Sequence, residues 1–270
     1  MKMKTAFLRL ACMAAPLLCG VAAHASNEQP CGAEVLAALG RQVKAAHFAP
    51  GPNAFGTDPS GVILSSACKR MPNDPRLTLA AVAWDAGKPE SKSLVLAVVD
   101  EAASAIVTSL RDEIYEDATT KVHNGSLRLD TAAYELAPGV RAFGLDISSD
   151  NPDCSESGLG PQRSLYVRDG ETLRPVVAGL PLSQYWYVRG NQPRCVSDQK
   201  EAETAIVENF KVTVELGAAG KGGWRDLVMT ATSSRSDHGP VRKPLHVRVP
   251  YDGDAYPLVT FVRAYDAWRK

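Results

Sequence analysis

A mainly β protein is what this sequence predicts, built of antiparallel meanders packed as a sandwich or a partial propeller-like assembly behind a short N-terminal helix. Three observations point there. From residue 63 onward the chain reads as short apolar runs separated by turn residues, the spacing of an all-β domain. Asn124-Gly125, Asp169-Gly170 and Asp252-Gly253 stand beside such runs, and these dipeptides supply the positive φ that hairpin turns demand. No amphipathic crossover helices separate the runs, which argues against a parallel α/β sheet.

Residues 1–25 read as an export signal and stand outside the fold. Lys2, Lys4 and Arg9 precede an apolar run from Ala11 to Ala23, and Ala23-His24-Ala25 offers the small-x-small site, so cleavage is expected after Ala25. Leu18 before Cys19 speaks against a lipoprotein. The run is too short to span a bilayer, and no later stretch approaches the roughly 18 apolar residues that a spanning helix needs. The expected location is the periplasm or the exterior, with no membrane-spanning segment. The chain holds 30 basic and 30 acidic residues, and loss of the signal leaves it slightly acidic. That balance offers no footprint for nucleic acid.

Residues 26–62 read as a helix and loop segment. Val35, Leu36, Leu39 and Val43 share one helical face, and FAPGPNAFGTDPSG (48–61) follows as a loop. Residues 63–270 read as a single β-rich domain of about three meander modules. The strands expected are LTLAAVAW (77–84), SLVLAVVD (93–100), ASAIVTSLRDEI (103–114), SLRLDTAAYEL (126–136), VRAFGLDIS (140–148), SLYVRDG (164–170) and TLRPVVAGL (172–180). TAIVENFKVTVEL (204–216), WRDLVMTAT (224–232), LHVRVPYDG (245–253) and AYPLVTFVRAY (255–265) complete the set. The modules centre on Asp100, Asp169 and Asp252. Pro175 and Pro257 lie early in their strands, where a missing N–H is tolerated.

Export makes the cysteines disulfide candidates. Cys31, Cys68, Cys154 and Cys195 remain after the signal, and the pairing expected is Cys31–Cys68 with Cys154–Cys195, since each pair brackets a loop-rich segment. Closing loops of roughly 40 residues stabilises by about 4 kcal/mol each in the chain-entropy model. No Cys-x-x-Cys spacing suggests zinc.

GGWRDLVMTATSS followed by VPYDGDAYPLV carries a resemblance: Gly223, Trp224, Asp226 and Leu227, then Tyr251, Asp252, Gly253 and Tyr256, match the closing pattern of a group of uncharacterised secreted proteobacterial proteins. The stretch also resembles the FG-GAP type of β-propeller repeat, without that family's calcium loop Asp-x-Asp-Gly-x-x-Asp. The resemblance covers about 40 residues. It implies an exported β-rich protein and no particular activity.

No catalytic set stands out. His47, His123, His238 and His246 lie in no metal-binding or nucleophile motif. The acidic run RDEIYED, with Asp112, Glu113, Glu116 and Asp117, is the place to look for paired glycosidase carboxylates, against the simpler reading of a solvated strand edge. Asp150, Asn151, Asp153, Ser155 and Glu156 offer oxygen ligands of the kind calcium takes, at a spacing that matches no calcium loop. No metal or cofactor is expected. The binding candidate is QYWYVRG, with Tyr185, Trp186, Tyr187 and Arg189: in a strand the two tyrosines share one face and the tryptophan takes the other. Exposed rings there would stack on sugars or anchor a peptide. The function expected is an exported envelope module, binding or structural and without catalysis, whose partner is an envelope polymer or protein. The rivals are a periplasmic, glycan-directed hydrolase and an inhibitor of a secreted enzyme.

Overall fold

The computed structural model describes residues 29–45, 48–50, 61–152, 155–188 and 205–270. It is a mainly β protein, and the described residues form two sheets and two α-helices. The first meander comprises β1 (Ala49–Pro50), β2 (Val62–Met71), β3 (Asp74–Trp84), β4 (Ser91–Asp100) and β5 (Ala105–Tyr115). The second comprises β6 (Leu127–Ala137), β7 (Val140–Ile147), β9 (Gln162–Asp169) and β10 (Thr172–Pro181). Between β7 and β9 in sequence, β8 (Ser157–Leu159) leaves for the other sheet, where it joins β11 (Ser183–Tyr187), β12 (Val207–Ala219), β13 (Arg225–Arg235) and β14 (Leu245–Val249). The sheet orders are β1-β2-β3-β4-β5-β10-β9-β7-β6 and β14-β13-β12-β11-β8. A single parallel pair, Thr172 opposite Ser109, joins the two meanders into one nine-stranded sheet.

That sheet curls until its ends approach. The Leu127 N–H on β6 donates to Ser65 Oγ on β2 at 3.2 Å. Leu79, Leu94 and Leu96 of the first meander then meet Leu129, Phe143 and Leu145 of the second in a shared interior. The outer face of the first meander is covered by helix α1 (Ala33–Val43), whose Leu36 and Leu39 pack on Val82 and Val95. The outer face of the second is covered by the five-stranded sheet and by the C-terminal helix α2 (Val259–Trp268). Strands β3 and β4 are therefore buried on both faces. This is why LTLAAVAW and SLVLAVVD are continuous apolar runs rather than alternating ones.

Cys31, just ahead of α1, is bonded to Cys68 in β2 with Cα atoms 4.9 Å apart. The bond holds the helix on the outer face of the sheet. Gly40 serves the same contact: a Cβ there would lie 3.1 Å from Phe48, which packs edge-on against Trp84. Cys154, Cys195 and His47 lie outside the described residues.

Three local expectations need correction. Strand β2 falls in residues that the apolar runs left unassigned, because Ser65, Ser66, Lys69 and Arg70 dilute its periodicity. Residues 255–265 are not a strand. They hold the turn before α2 and most of that helix, in which Phe261 and Tyr265, one turn apart, are buried while Val259 and Val262 are exposed. Asp252-Gly253 is consequently no hairpin turn: the Asp252 carboxylate accepts the Asp254 and Ala255 N–H groups, both at 2.9 Å, and swings the chain into the helix. Asp169-Gly170 does turn the β9–β10 hairpin, with Gly170 at φ 62°. Beyond Thr172, β10 has no ladder partner on its β5 side among the described residues, so Pro175 sits where its missing N–H is tolerated.

The helical register of the C-terminus makes a testable contrast. Phe261→Ala is expected to cost about 3–5 kcal/mol in chemical denaturation, the range for a buried phenylalanine. The adjacent Val262→Ala should stay within about 0.5 kcal/mol. Equal losses at the two positions would contradict the packing of α2.

Candidate functional site

Strand β11 carries the predicted aromatic residues between β8 and β12. Tyr185 and Tyr187 point to the outer face of the five-stranded sheet, with ring centres 5.9 Å apart and planes at 80°. On that face they join the exposed Asn209, Lys211, Thr232 and Ser234. Tyr185 lies directly on the backbone of Gly158, where any Cβ would come within 2.1 Å of the ring. Gly160 is equally committed, since a Cβ would collide with Ser183 Oγ. These glycines keep β8 low beside β11 and leave a shallow groove of about 450 Å³ along Ser183, Tyr185, Asn209 and Lys211.

Trp186 has a different role. Its ring turns inward onto Phe210, centre to centre 4.3 Å, and its N–H donates to Glu208 Oε2 at 3.1 Å. The guanidinium groups of Arg242 and Arg269 stand 5.9 and 6.0 Å from its ring centre. Arg242 Nη1 donates to the Trp268 carbonyl, and Arg269 Nη1 to Gln184 Oε1 at 2.5 Å. Trp186 thus pins α2 to the sheet. The aromatic triplet divides into two half-buried tyrosines on the outer face and one tryptophan packed inward, as strand alternation dictates, while Arg189 lies outside the described residues.

A second cleft lies elsewhere, at the open end of the curled sheet. Beyond the Leu127–Ser65 bond, β2 and β6 diverge, and Lys69 Nζ reaches across to the Leu129 carbonyl at 3.3 Å. The wedge between them has a volume of about 930 Å³ and is lined by Lys69, Arg70, Arg128, Asp130, Arg141, Asp146 and Arg163 among others. Arg163 on β9 organises it. Its guanidinium binds Asp146 on β7 in a fork at 2.6 and 2.7 Å, then reaches Asp130 on β6 at 2.5 Å and the Tyr134 hydroxyl at 2.9 Å. It crosses β7 at Gly144, where a Cβ would lie 3.1 Å from Asp130 and 3.4 Å from Arg163 Nε. Burial would lower the Arg163 pKa, but its bonds to Asp146 and the charges of both aspartates outweigh that and hold it above the ordinary arginine value. Opposite this network β6 bulges: its ladder with β7 shifts between Asp130 and Tyr134, and Asp130 accepts the Ala132 N–H at 2.9 Å.

The carboxylates proposed for hydrolysis are held in structural roles. Glu113 pairs with Lys88 and accepts from Ser91, Glu116 accepts the Val122 N–H, and Asp117 accepts from Thr119 and Thr120. Hydrogen bonds hold Glu113 and Asp117 below their ordinary pKa values, the opposite of what a general acid needs. His246 Nδ1 and Thr230 Oγ1 lie 2.9 Å apart on the exposed sheet, and among the described residues no carboxylate pairs with the imidazole. Asn151 is spent on both backbone groups of Leu159, and Asp153 lies outside the described residues. Among the described residues no three His, Cys, Asp or Glu side chains gather as a metal site.

The C-terminal motif closes on itself. Trp224 stacks on Tyr251 at 3.9 Å with planes 6° apart, Tyr256 donates to the Arg225 carbonyl at 2.6 Å, and the buried Asp226 pairs with Arg248. The motif is an aromatic clasp joining β13, the end of β14 and the entry to α2. No protein-family model matches the chain, no curated protein is significantly similar to it, and no solved structure matches its fold.

Two outcomes follow from the Arg163 network. Gly144→Ala should destabilise by about 1–3 kcal/mol through overpacking, measured by urea denaturation against a wild-type control. Alkaline pH should weaken the fold as well. Burial foremost pushes the Tyr134 phenol from 10 up to about 12, so the folded state favours its neutral form. That contribution is whole below pH 10 and is lost as pH rises through 12. Burial likewise raises Tyr166, Tyr256 and Tyr265. Tyr134→Phe should remove part of the slope of melting temperature against pH in that window, and an unchanged slope would show that Tyr134 plays no part.

Proposed function

We propose that this protein is an exported, non-catalytic binding module that lays the outer face of its five-stranded sheet against a glycan polymer of the cell envelope. The reading of export rests on the basic and apolar N-terminus with its Ala23-His24-Ala25 site, and the Cys31–Cys68 bond accords with an oxidising compartment. Among the described residues no helix is long and apolar enough to cross a membrane.

The observation that carries the reading is the pair Tyr185 and Tyr187 on one polar, grooved sheet face. A tyrosine ring offers an apolar surface to the C–H face of a sugar and a hydroxyl to its rim. Asn209, Lys211, Thr232 and Ser234 add short polar groups alongside, suited to sugar hydroxyls. A broad face of this kind favours an extended polymer over a small enclosed ligand. The hydrolase alternative finds its acidic run engaged in strand and turn structure. The inhibitor alternative depends on the Cys154–Cys195 loop, which lies outside the described residues.

Sedimentation with insoluble envelope glycan tests the proposal. Wild type should co-sediment, and Tyr185→Ala or Tyr187→Ala should each weaken binding about tenfold, the equivalent of about 1.4 kcal/mol of ring contact. Trp186→Ala should instead lower the melting temperature. Equal retention of wild type and both tyrosine variants would refute the assignment.

A further inference from the structure

The wedge at the open end of the curled sheet holds more positive charge than the fold uses. Five cations line it, Lys69, Arg70, Arg128, Arg141 and Arg163, against two carboxylates, Asp130 and Asp146. Both carboxylates are bound by Arg163. Among the described residues Arg141 donates to neutral acceptors, Asn73 Oδ1 at 2.7 Å and the Thr131 carbonyl at 2.9 Å. Lys69 reaches the Leu129 carbonyl. Arg70 and Arg128 are exposed and form no ion pair among the described residues.

A surface that merely needed solubility would intersperse acidic partners among these groups. Here the cations come from four separate strands. Lys69 and Arg70 end β2, and Arg128 stands at the start of β6 across the wedge, with Arg141 and Arg163 on the strands beside it. Low-dielectric walls focus the field of such a group into the cleft. Arginine forks are matched to the paired oxygens of carboxylates and phosphates. Arg141 and Arg163 are held in place before any ligand arrives, so little ordering is left to oppose binding. The volume, about 930 Å³, lies within the range of small-molecule sites.

We infer that this cleft binds a small oxyanionic ligand bearing at least two negative groups, carboxylate or phosphate, with Arg70 and Arg128 gripping it from opposite walls over the fixed Arg141. The site is separate from the tyrosine face and does not depend on the glycan reading. The bulge in β6 has its place here, because its residues Asp130 to Ala133 line the wedge and its Thr131 carbonyl accepts from Arg141.

Isothermal titration of the mature protein at low ionic strength tests this, with pyrophosphate and citrate in separate arms and trehalose as the neutral control. Wild type is expected to bind at least one anion saturably, and the arm that does so distinguishes phosphate from carboxylate recognition. The double variant Arg70→Gln/Arg128→Gln should weaken that binding at least about thirtyfold while keeping the wild-type melting temperature, since both side chains are exposed. Tyr185→Ala should leave it unchanged. No saturable binding of either anion by wild type, or equal binding by the double variant, would overturn the inference.

Discussion

One guanidinium sets the geometry of the wedge at the open end of the curled sheet. Arg163 is mostly buried, and two carboxylates on two neighbouring strands compensate its charge. An ion pair of this kind contributes little net stability compared with apolar residues of the same shape, because desolvation offsets most of the attraction. What it imposes is position. The fork to Asp146 fixes Arg163 across β7, the reach over Gly144 fixes Asp130, and Asp130 shapes the bulge in β6. The edge strand then leaves β2 beyond the Leu127–Ser65 bond instead of closing on it. A curled sheet that nearly seals along one end is thereby kept open at the other.

The same sheet explains why the molecule is assembled in layers. Each meander has two apolar faces, and curling satisfies only the inner ones. Helix α1 covers one outer face, held by Cys31–Cys68, and the five-stranded sheet with α2 covers the other. The second sheet is left with a polar outer face, which is where Tyr185 and Tyr187 are displayed. The two candidate surfaces are consequences of one packing problem: a sheet face that stays polar and a seam that does not close.

Much of the fold was legible in the sequence, and the reasons differ by element. Strands β3 and β4 showed as continuous apolar runs because both of their faces are buried. The Asp169-Gly170 hairpin followed from backbone chemistry alone. Strand β2 was hidden, since Ser65 serves the seam and Lys69 and Arg70 serve the cleft rather than the core. The C-terminal helix was mistaken for a strand because its valines and aromatics favour extended backbone, and tertiary packing of Phe261 and Tyr265 overrides that preference. Alternation along QYWYV separated the tyrosines from Trp186 correctly. The cleft was invisible: Lys69, Arg128, Arg141 and Arg163 form no motif in the chain and meet only through the curl of the sheet.

The position-setting role of the Arg163 network is open to one direct measurement, a denaturation comparison of Arg163→Met with the triple variant Arg163→Met/Asp130→Asn/Asp146→Asn. The single variant strands two carboxylates in a partly buried site and should lose about 3–5 kcal/mol. The triple variant removes the uncompensated charge and should recover most of that loss. A single variant within about 1 kcal/mol of wild type, or a triple variant that loses as much as the single, would contradict the account.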